Sequence, residues 1–548
     1  MTNVSIGLHA ALLVSCMLAA TDAFAQGQAQ PLPTPVDPSA IGRGLIDRQR
    51  VLSPPEPREN PDAITGDPNR PAVDEAAVPA SVTFPLRAVN FDPSTFLSRV
   101  ELNALAAPRI GQTVSFADLR AIAAEVNALY AARRIVTARA YVPPQRIADG
   151  TVRIALVEGR LGALNVGKGR YTDPAFVRSR LALTPGQVVD LDALRRQINR
   201  FNRGNDLRIQ AQLQPGAQVG LTDVLISLTE PPRNGVQLFA DTYGYESTGR
   251  YQGGVALRRS RLLTDGDRFN LYASVSDGGV TGSASYSIAV REARLGITYA
   301  RSQIRVTRGP SANLDIEGFS DTTSLNFAHP VVERDGWYAS FIVAASYVSA
   351  ENRLADTRVG DSRVLKATAG TALGFDFVRG GSLAVNLTAS PAGADDLLEP
   401  QGRNFVLFNG DYAGAIPLGG PWSLRVAGAG QHASTAFIPS NQLFQIGGPG
   451  SVRGFQPGTV SGSGGYFTQT ELHYQRPLDG QALDLFAFFD HGKTWSADFP
   501  DRALASAGAG VRLPVWRFTL DAMIGLPITD RLANEKGYRA DARLTLAF

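Results

Sequence analysis

The chain has 548 residues, with 53 Lys and Arg against 50 Asp and Glu, so its formal charge of +3 gives no reason to expect nucleic acid as a partner. Its five histidines, His9, His329, His432, His473 and His491, are scattered, with neither an HExxH nor a paired metal spacing. The only sustained apolar run, residues 10–20, is shorter than the roughly 20 residues a spanning helix needs, so a membrane protein with this sequence is a barrel or a surface binder.

That run leads to Ala23-Phe24-Ala25 before Gln26, a small-x-small pattern for signal peptidase, although the n-region lacks Lys and Arg. Leu13-Val14-Ser15-Cys16 offers a rival lipoprotein box behind a short apolar stretch. Cys16 is the single cysteine, so cleavage after Ala25 leaves a mature chain with neither disulfide nor thiolate metal site. Residues 1–25 are therefore read as a signal peptide. Residues 26–80 are proline-rich and read as a semi-extended linker, interrupted by an island from Pro38 to Arg50 in which Ile41, Leu45 and Ile46 fall at helical spacing. The island is either a transient helix or a short helix that docks, in the barrel among other places.

From Ser81 the pattern is mixed α/β and occurs twice, at 81–159 and 160–232. The first copy predicts a strand over Val82–Phe91, helices, the second with Ser115 as N-cap and Leu119, Ile122, Val126 and Leu129 on one face, then strands at Thr137–Val142 and Thr151–Val157. The second predicts a strand at Gly162–Val166, a helix near Thr172–Leu183, another from Asp190, and strands at Leu207–Leu213 and Thr222–Leu228. Each unit exposes a sheet edge on which another chain can add a strand.

After Pro231-Pro232 the helical period disappears, and alternating segments separated by clusters such as Asp265-Gly266-Asp267 and Asp277-Gly278-Gly279 run to the end. Phe269, Leu271, Ala273 and Val275 alternate with Arg268, Asn270, Tyr272 and Ser274, and Ala540, Ala542, Leu544, Leu546 and the terminal Phe548 share one face against Asp541, Arg543 and Thr545. Lipid outside and water inside produce this pattern, and residues 233–548 divided into strands of about ten plus loops make roughly 16 strands. The expected fold is a transmembrane antiparallel β-barrel of about 16 strands behind two small α/β domains.

Catalytic motifs are missing. Gly492-Lys493-Thr494 looks like the end of a phosphate loop, but Ala487 stands where its first glycine belongs, and no G-x-S-x-G is present. Two other segments carry more information. One is the glycine-dense Gly447 to Phe455, which by chemistry alone reads as an ordinary surface loop. The other is Leu483 to Gly492, where Leu483, Leu485, Ala487 and Phe489 take the lipid-facing parity and Asp484, Phe486, Phe488 and Asp490 point inward. An inward aspartate beside an arginine-bearing loop invites an ion pair within the barrel.

Val452-Arg453-Gly454-Phe455 followed by Phe488-Phe489-Asp490-His491-Gly492 resembles the VRG[YF] and F-x-D-x-G motif pair of two-partner secretion transporters, the TpsB or haemolysin secretion/activation family. Pro144 to Gly150 with Val157-Glu158-Gly159 resembles the first polypeptide-transport-associated (POTRA) domain of that family, and residues 160–232 resemble the second. The resemblance implies that Arg453, at the tip of a loop folded into the barrel, contacts Asp490 on the inner wall, and that the Pro38 to Arg50 helix plugs the pore. It further implies an outer-membrane location with the POTRA domains in the periplasm, and a secreted, unfolded partner exoprotein as cargo. Outer-membrane lipid is the other partner, with no nucleotide, nucleic acid, metal or cofactor and no enzyme activity expected. A barrel assembly or insertion factor and a passive porin are the alternatives.

Overall fold

The computed structural model describes residues 64–65 and 82–548, apart from 134, 136, 148, 219, 378–379, 397–398, 479–480, 497–499 and 530–536. The expected signal peptide and the Pro38 to Arg50 helix lie outside the described residues.

Strand β1 (Ile64–Thr65) belongs to the proline-rich segment, and the first α/β unit follows it. The single strand expected over Val82–Phe91 is two, β2 (Thr83–Pro85) and β3 (Ala88–Phe91). Pro85 has no N–H to continue a ladder, and the two pieces find different partners: β2 pairs with β4 (Thr113–Ser115), while β3 runs parallel to β6 (Thr151–Glu158). Helix α1 (Arg99–Ala106) starts at a Ser98/Glu101 capping box and α2 (Phe116–Ala132) at a Ser115/Asp118 box. Leu119, Ile122, Val126 and Tyr130 of α2 pack on Val152 and Ile154 of β6, and β5 (Ala138–Tyr141) completes the sheet in the order β3-β6-β5.

The second unit contains β7 (Arg160–Val166), α3 (Pro174–Arg178), α4 (Leu191–Gly204), β8 (Arg208–Pro215) and β9 (Leu221–Thr229). Helix α3 is much shorter than the stretch Thr172–Leu183 predicts. Asp173 caps it and Pro174 opens it, but the chain leaves the helix after Arg178 and turns so that Leu181 joins Val177 in the core. The sheet order is β1-β8-β9-β7, with β1 lying parallel to β8, Ile64 opposite Ala211 and Thr65 opposite Gln212. The edge strand of this sheet is thus supplied by the segment that the sequence reads as a linker.

Sixteen antiparallel strands, from Asn234–Asp241 to Arg539–Ala547, close into a barrel whose first strand pairs with its last, Asp241 opposite Arg543. Ile297 and Leu325 face each other across neighbouring strands and are exposed on the outside, as are Leu365, Leu485, Phe489 and Leu544. Asp484, Asp490 and Asp541 of the opposite parity are buried. Trp337, Trp422 and Trp516 lie exposed at the strand ends nearest the α/β units, the position of an interfacial aromatic belt.

The second α/β unit sits directly on the barrel turns. Arg203 of α4 reaches Glu333 (3.1 Å) and Asp376 (3.0 Å) and stacks over Tyr338 at 3.6 Å, Arg200 pairs with Glu292 at 2.8 Å, and Asp206 pairs with Arg268 at 2.6 Å. Gly266, at φ +78°, lets the turn close on Phe176, whose ring would lie 2.5 Å from any Cβ there.

Candidate functional site

Between the strands Trp422–Ala433 and Gly464–Leu478 the chain does not make a short outer loop but folds residues 434–463 back into the barrel. Phe444–Ile446 and Val460–Gly462 pair as a small hairpin, and Gly447 and Gly448, both at positive φ, turn its tip. The apolar effect holds it there: Ile446, Val452, Phe455 and Val460 bury themselves against Phe467 and Leu504 of the wall. Gly454, at φ +88°, abuts Gly525 so closely that a Cβ on Gly525 would stand 2.6 Å from the Gly454 nitrogen. Gly492 does the same for the hairpin, since a Cβ there would meet Tyr466 O at 2.9 Å and Ile446 Cδ1 at 3.1 Å.

This packing delivers Arg453 to the wall. Its Nε and Nη2 donate to the two oxygens of Asp490 at 2.7 and 2.6 Å, its backbone N–H donates to Asp490 Oδ2 at 3.0 Å, and Nη1 donates to Glu471. The guanidinium lies flat on the Phe488 ring, 3.7 Å from its centre. The Arg453 and Asp490 side chains are 4% and 0% exposed, so this is a desolvated pair, and removing one member of such a pair typically costs about 3–5 kcal/mol by stranding the other charge. The forked donors matter, because the planar guanidinium grips both oxygens of Asp490 through Nε and Nη2 while Nη1 reaches Glu471, an array a compact ammonium does not reproduce.

The wall continues the network. His473 places Nε2 at 2.8 Å from Glu471 and Nδ1 at 2.7 Å from Asp484, and Arg425 approaches Asp484 at 3.4 Å. The structure therefore brings Val452, Arg453, Gly454, Phe455, Phe488, Asp490 and Gly492 into one contact between loop tip and wall, with Val452 and Phe455 serving as its apolar anchors. Glu471, His473 and Arg425 are absent from the sequence expectations. The signal that finds the first two is alternation along Gly464–Leu478, which places Gln469, Glu471 and His473 on the parity opposite exposed Leu472, as the pairing Gln469 to Asp490 requires. The segment Gly492-Lys493-Thr494 lies in the strand Gln481–Trp495, and Lys493 pairs with Asp501 at 2.9 Å.

In the first α/β unit, the resemblance-bearing residues are structural fasteners. Gln145 donates to Arg153 O at 2.8 Å and accepts from Arg153 N–H at 2.8 Å, filling the place beside β6 that β5 does not reach. Glu158 accepts from Ser94 Oγ at 2.5 Å and from Thr95 N–H at 2.9 Å, pinning the loop before α1. Burial works to raise the Glu158 pKa, but the donors from Ser94 and Thr95 outweigh it and hold the carboxyl below its ordinary value. Burial pushes the neighbouring Tyr130 hydroxyl up to about 12.

Comparisons with known proteins agree with this geometry. Residues 84–159 match the ShlB-type POTRA domain model, and residues 220–513 match the model for haemolysin secretion/activation proteins ShlB/FhaC/HecB. The heme/hemopexin transporter protein HuxB of Haemophilus influenzae is 24% identical over 455 residues, covering 78% of this chain and 80% of its own. The outer membrane transporter CdiB of Dickeya dadantii is 24% identical over 474 residues, covering 81% and 83%. The solved structure of CdiB from Escherichia coli superposes with a TM-score of 0.71 at 19% identity, over 95% of this chain and all of that one, so the fold is shared. With its family model spanning more than half of the sequence, this chain belongs to the ShlB/FhaC/HecB family of haemolysin secretion/activation proteins, outer-membrane barrels preceded by POTRA domains.

Proposed function

We propose that this protein carries a specific exoprotein of the adhesin or haemolysin kind across the outer membrane. In this reading the two POTRA domains, 81–159 and 160–232, receive the unfolded partner in the periplasm and the barrel, 233–548, passes it outward. The protein is a transporter and performs no catalysis. The observation that carries this reading is the in-folded loop, fastened by Arg453 to Asp490 and Glu471 within a closed barrel whose near end bears a docked POTRA domain. A pore of this kind needs a movable interior element and a receptor at its mouth, and a passive porin needs neither. The loop motif Val452 to Phe455 and the wall motif Phe488, Asp490 and Gly492 are its working parts, with the Pro38 to Arg50 helix as a further occupant of the pore at rest. The periplasm supplies no nucleotide, so folding of the cargo outside provides the drive.

The test is to establish whether a neighbouring gene encodes a large secreted protein and to co-express such a protein with this chain. Export of that protein, dependent on this chain while other outer-membrane proteins assemble normally, is the expected result. General loss of barrel assembly on deletion identifies an insertion factor instead. Deleting residues 26–60 is expected to raise single-channel conductance, and an unchanged conductance removes the plug from this reading.

A further inference from the structure

The two POTRA domains share one device and place it differently. In the second, Asn202 of α4 reaches the outer edge of β8: Ile209 N–H donates to its Oδ1 at 2.8 Å and its Nδ2 donates to Ile209 O at 3.1 Å. In the first, Asn127 of α2 treats β5 identically, with Ala140 N–H donating to Oδ1 at 2.7 Å and Nδ2 donating to Ala140 O at 3.0 Å. An amide of this kind satisfies the backbone as a neighbouring strand would, and so occupies one station of the edge.

A strand added at an edge bonds to every second residue. On β8 the outward row is Ile209, Ala211, Leu213 and Pro215, because Ile209 turns its backbone to Asn202 and β9 pairs along the whole strand without a register shift. Asn202 takes Ile209 and Pro215 has no N–H, which leaves Ala211 and Leu213 as consecutive stations. Ile64–Thr65 of this chain is seated there, parallel to β8, and Ile64 packs against the domain core. On β5 the outward row is Ala138 and Ala140, and Pro143 and Pro144 follow the strand. There the amide takes one of the strand's two outward stations, so no two neighbouring stations remain on it.

We propose that Asn127 and Asn202 are register stops. Asn127 closes β5 of the first POTRA domain to strand addition. Asn202 directs an extended segment of the exported partner to the second POTRA domain in a single register, parallel to β8, with a β-branched aliphatic residue opposite Ala211. Ile64 supplies the template for that residue. The identification of the occupant rests on the transport reading; the stops themselves rest on the two clamps.

The probe is a synthetic peptide of residues 60–69 carrying Thr65→Cys, offered to the full chain in detergent after residues 62–67 have been replaced by glycine and serine and Cys16 by alanine. Thr65 lies opposite Gln212, so disulfide formation with Gln212→Cys reads the observed register, and Gln210→Cys reads a slip of two residues. With Asn202 present, capture at 212 is expected to exceed capture at 210 by about tenfold, because a slipped strand forfeits backbone bonds at Ile209. Asn202→Ala should bring the two within about threefold by opening that station. Asn202→Asp, which still accepts from Ile209 N–H, should keep the order and controls for misfolding. In the first domain, Arg139→Cys should capture peptide only when Asn127→Ala is also present. Equal capture at 210 and 212 with Asn202 intact, or capture at 139 with Asn127 intact, overturns the stops. Export of a co-expressed partner is scored separately: export with unordered capture removes the stops and leaves transport standing, and ordered capture without export does the reverse.

Discussion

Two arginine contacts divide the labour of this molecule, and they differ in how much water they keep. Arg453 meets Asp490 with both side chains almost fully covered, whereas Arg200 meets Glu292 with 30% and 45% of their side chains exposed. The first pair is desolvated, so neither partner can leave without stranding a charge. The second is screened, and exposed pairs of this kind contribute roughly 0–1 kcal/mol. Arg203 stands between them, 16% exposed against a Glu333 that is 2% exposed. The interior loop is thus built to stay until something replaces its partners. The seat of the second POTRA domain grades from a firm centre at Arg203 to a yielding rim at Arg200.

The largest effect is expected at the buried pair. Arg453→Ala should insert and close as a barrel yet lose most export, since about 3–5 kcal/mol of loop attachment goes with the guanidinium. Partner protein in the medium and heat-modifiable gel mobility check the two halves of that statement. In the Cys16→Ala background, Arg453→Cys with Asp490→Cys should form a disulfide in membrane-inserted protein, and reactive thiols that fail to join would take the loop away from the wall.

Glu471→Gln sharpens the same site by leaving Asp490 in place. It removes one charge-assisted bond to Arg453 and one to His473, so a loss of about 1.5–3 kcal/mol and a partial, several-fold fall in export are expected. An effect equal to that of Arg453→Ala would show that Asp490 alone cannot hold the arginine.

Within the first POTRA domain, Glu158→Gln should lower the opening free energy of the loop before α1 by about 1–3 kcal/mol, read by hydrogen exchange at Thr95 to Leu97. The sign with pH follows from its depressed pKa in the folded chain. Its contribution is complete above the ordinary glutamate value and disappears as pH falls through the lower folded value, so protection there, corrected for intrinsic exchange, should fall at pH below the ordinary glutamate value in the parent and not in the variant.

The smallest effects belong to the rim. Arg203→Ala should widen the distance distribution between spin labels on the second POTRA domain and the barrel, because Glu333 is left buried and unpaired. Arg200→Ala should change it little, and less still at high salt. Equal effects would erase the gradation from centre to rim.

Much of this architecture was legible from period alone. Alternation identified the barrel and the inward parity of Asp484, Phe488 and Asp490, since a strand has only two faces and lipid and water sort them. Ser115 announced α2 because capping is local chemistry. Local rules failed where a remote partner decided: Val82–Phe91 broke because its halves had different sheet neighbours, and Thr172–Leu183 was cut to five residues because Leu181 was needed in the core. Ile64–Thr65 carries no strand signal among its prolines, and becomes one only because β8 offers an unpaired row.

The barrel and the two α/β repeats were thus readable in the sequence, because each rests on period within a few residues, whereas the loop motif was singled out by family resemblance and reads by local chemistry alone as an ordinary surface loop. Long-range packing was needed for Glu471 and His473 to join Arg453, for the linker segment to edge the second sheet, and for Asn202 to clamp one end of the β8 row while Asn127 occupies one of the two outward stations of β5. Those relations depend on which strands lie side by side and in what register, a choice made by the burial of whole faces rather than by any short stretch of chain.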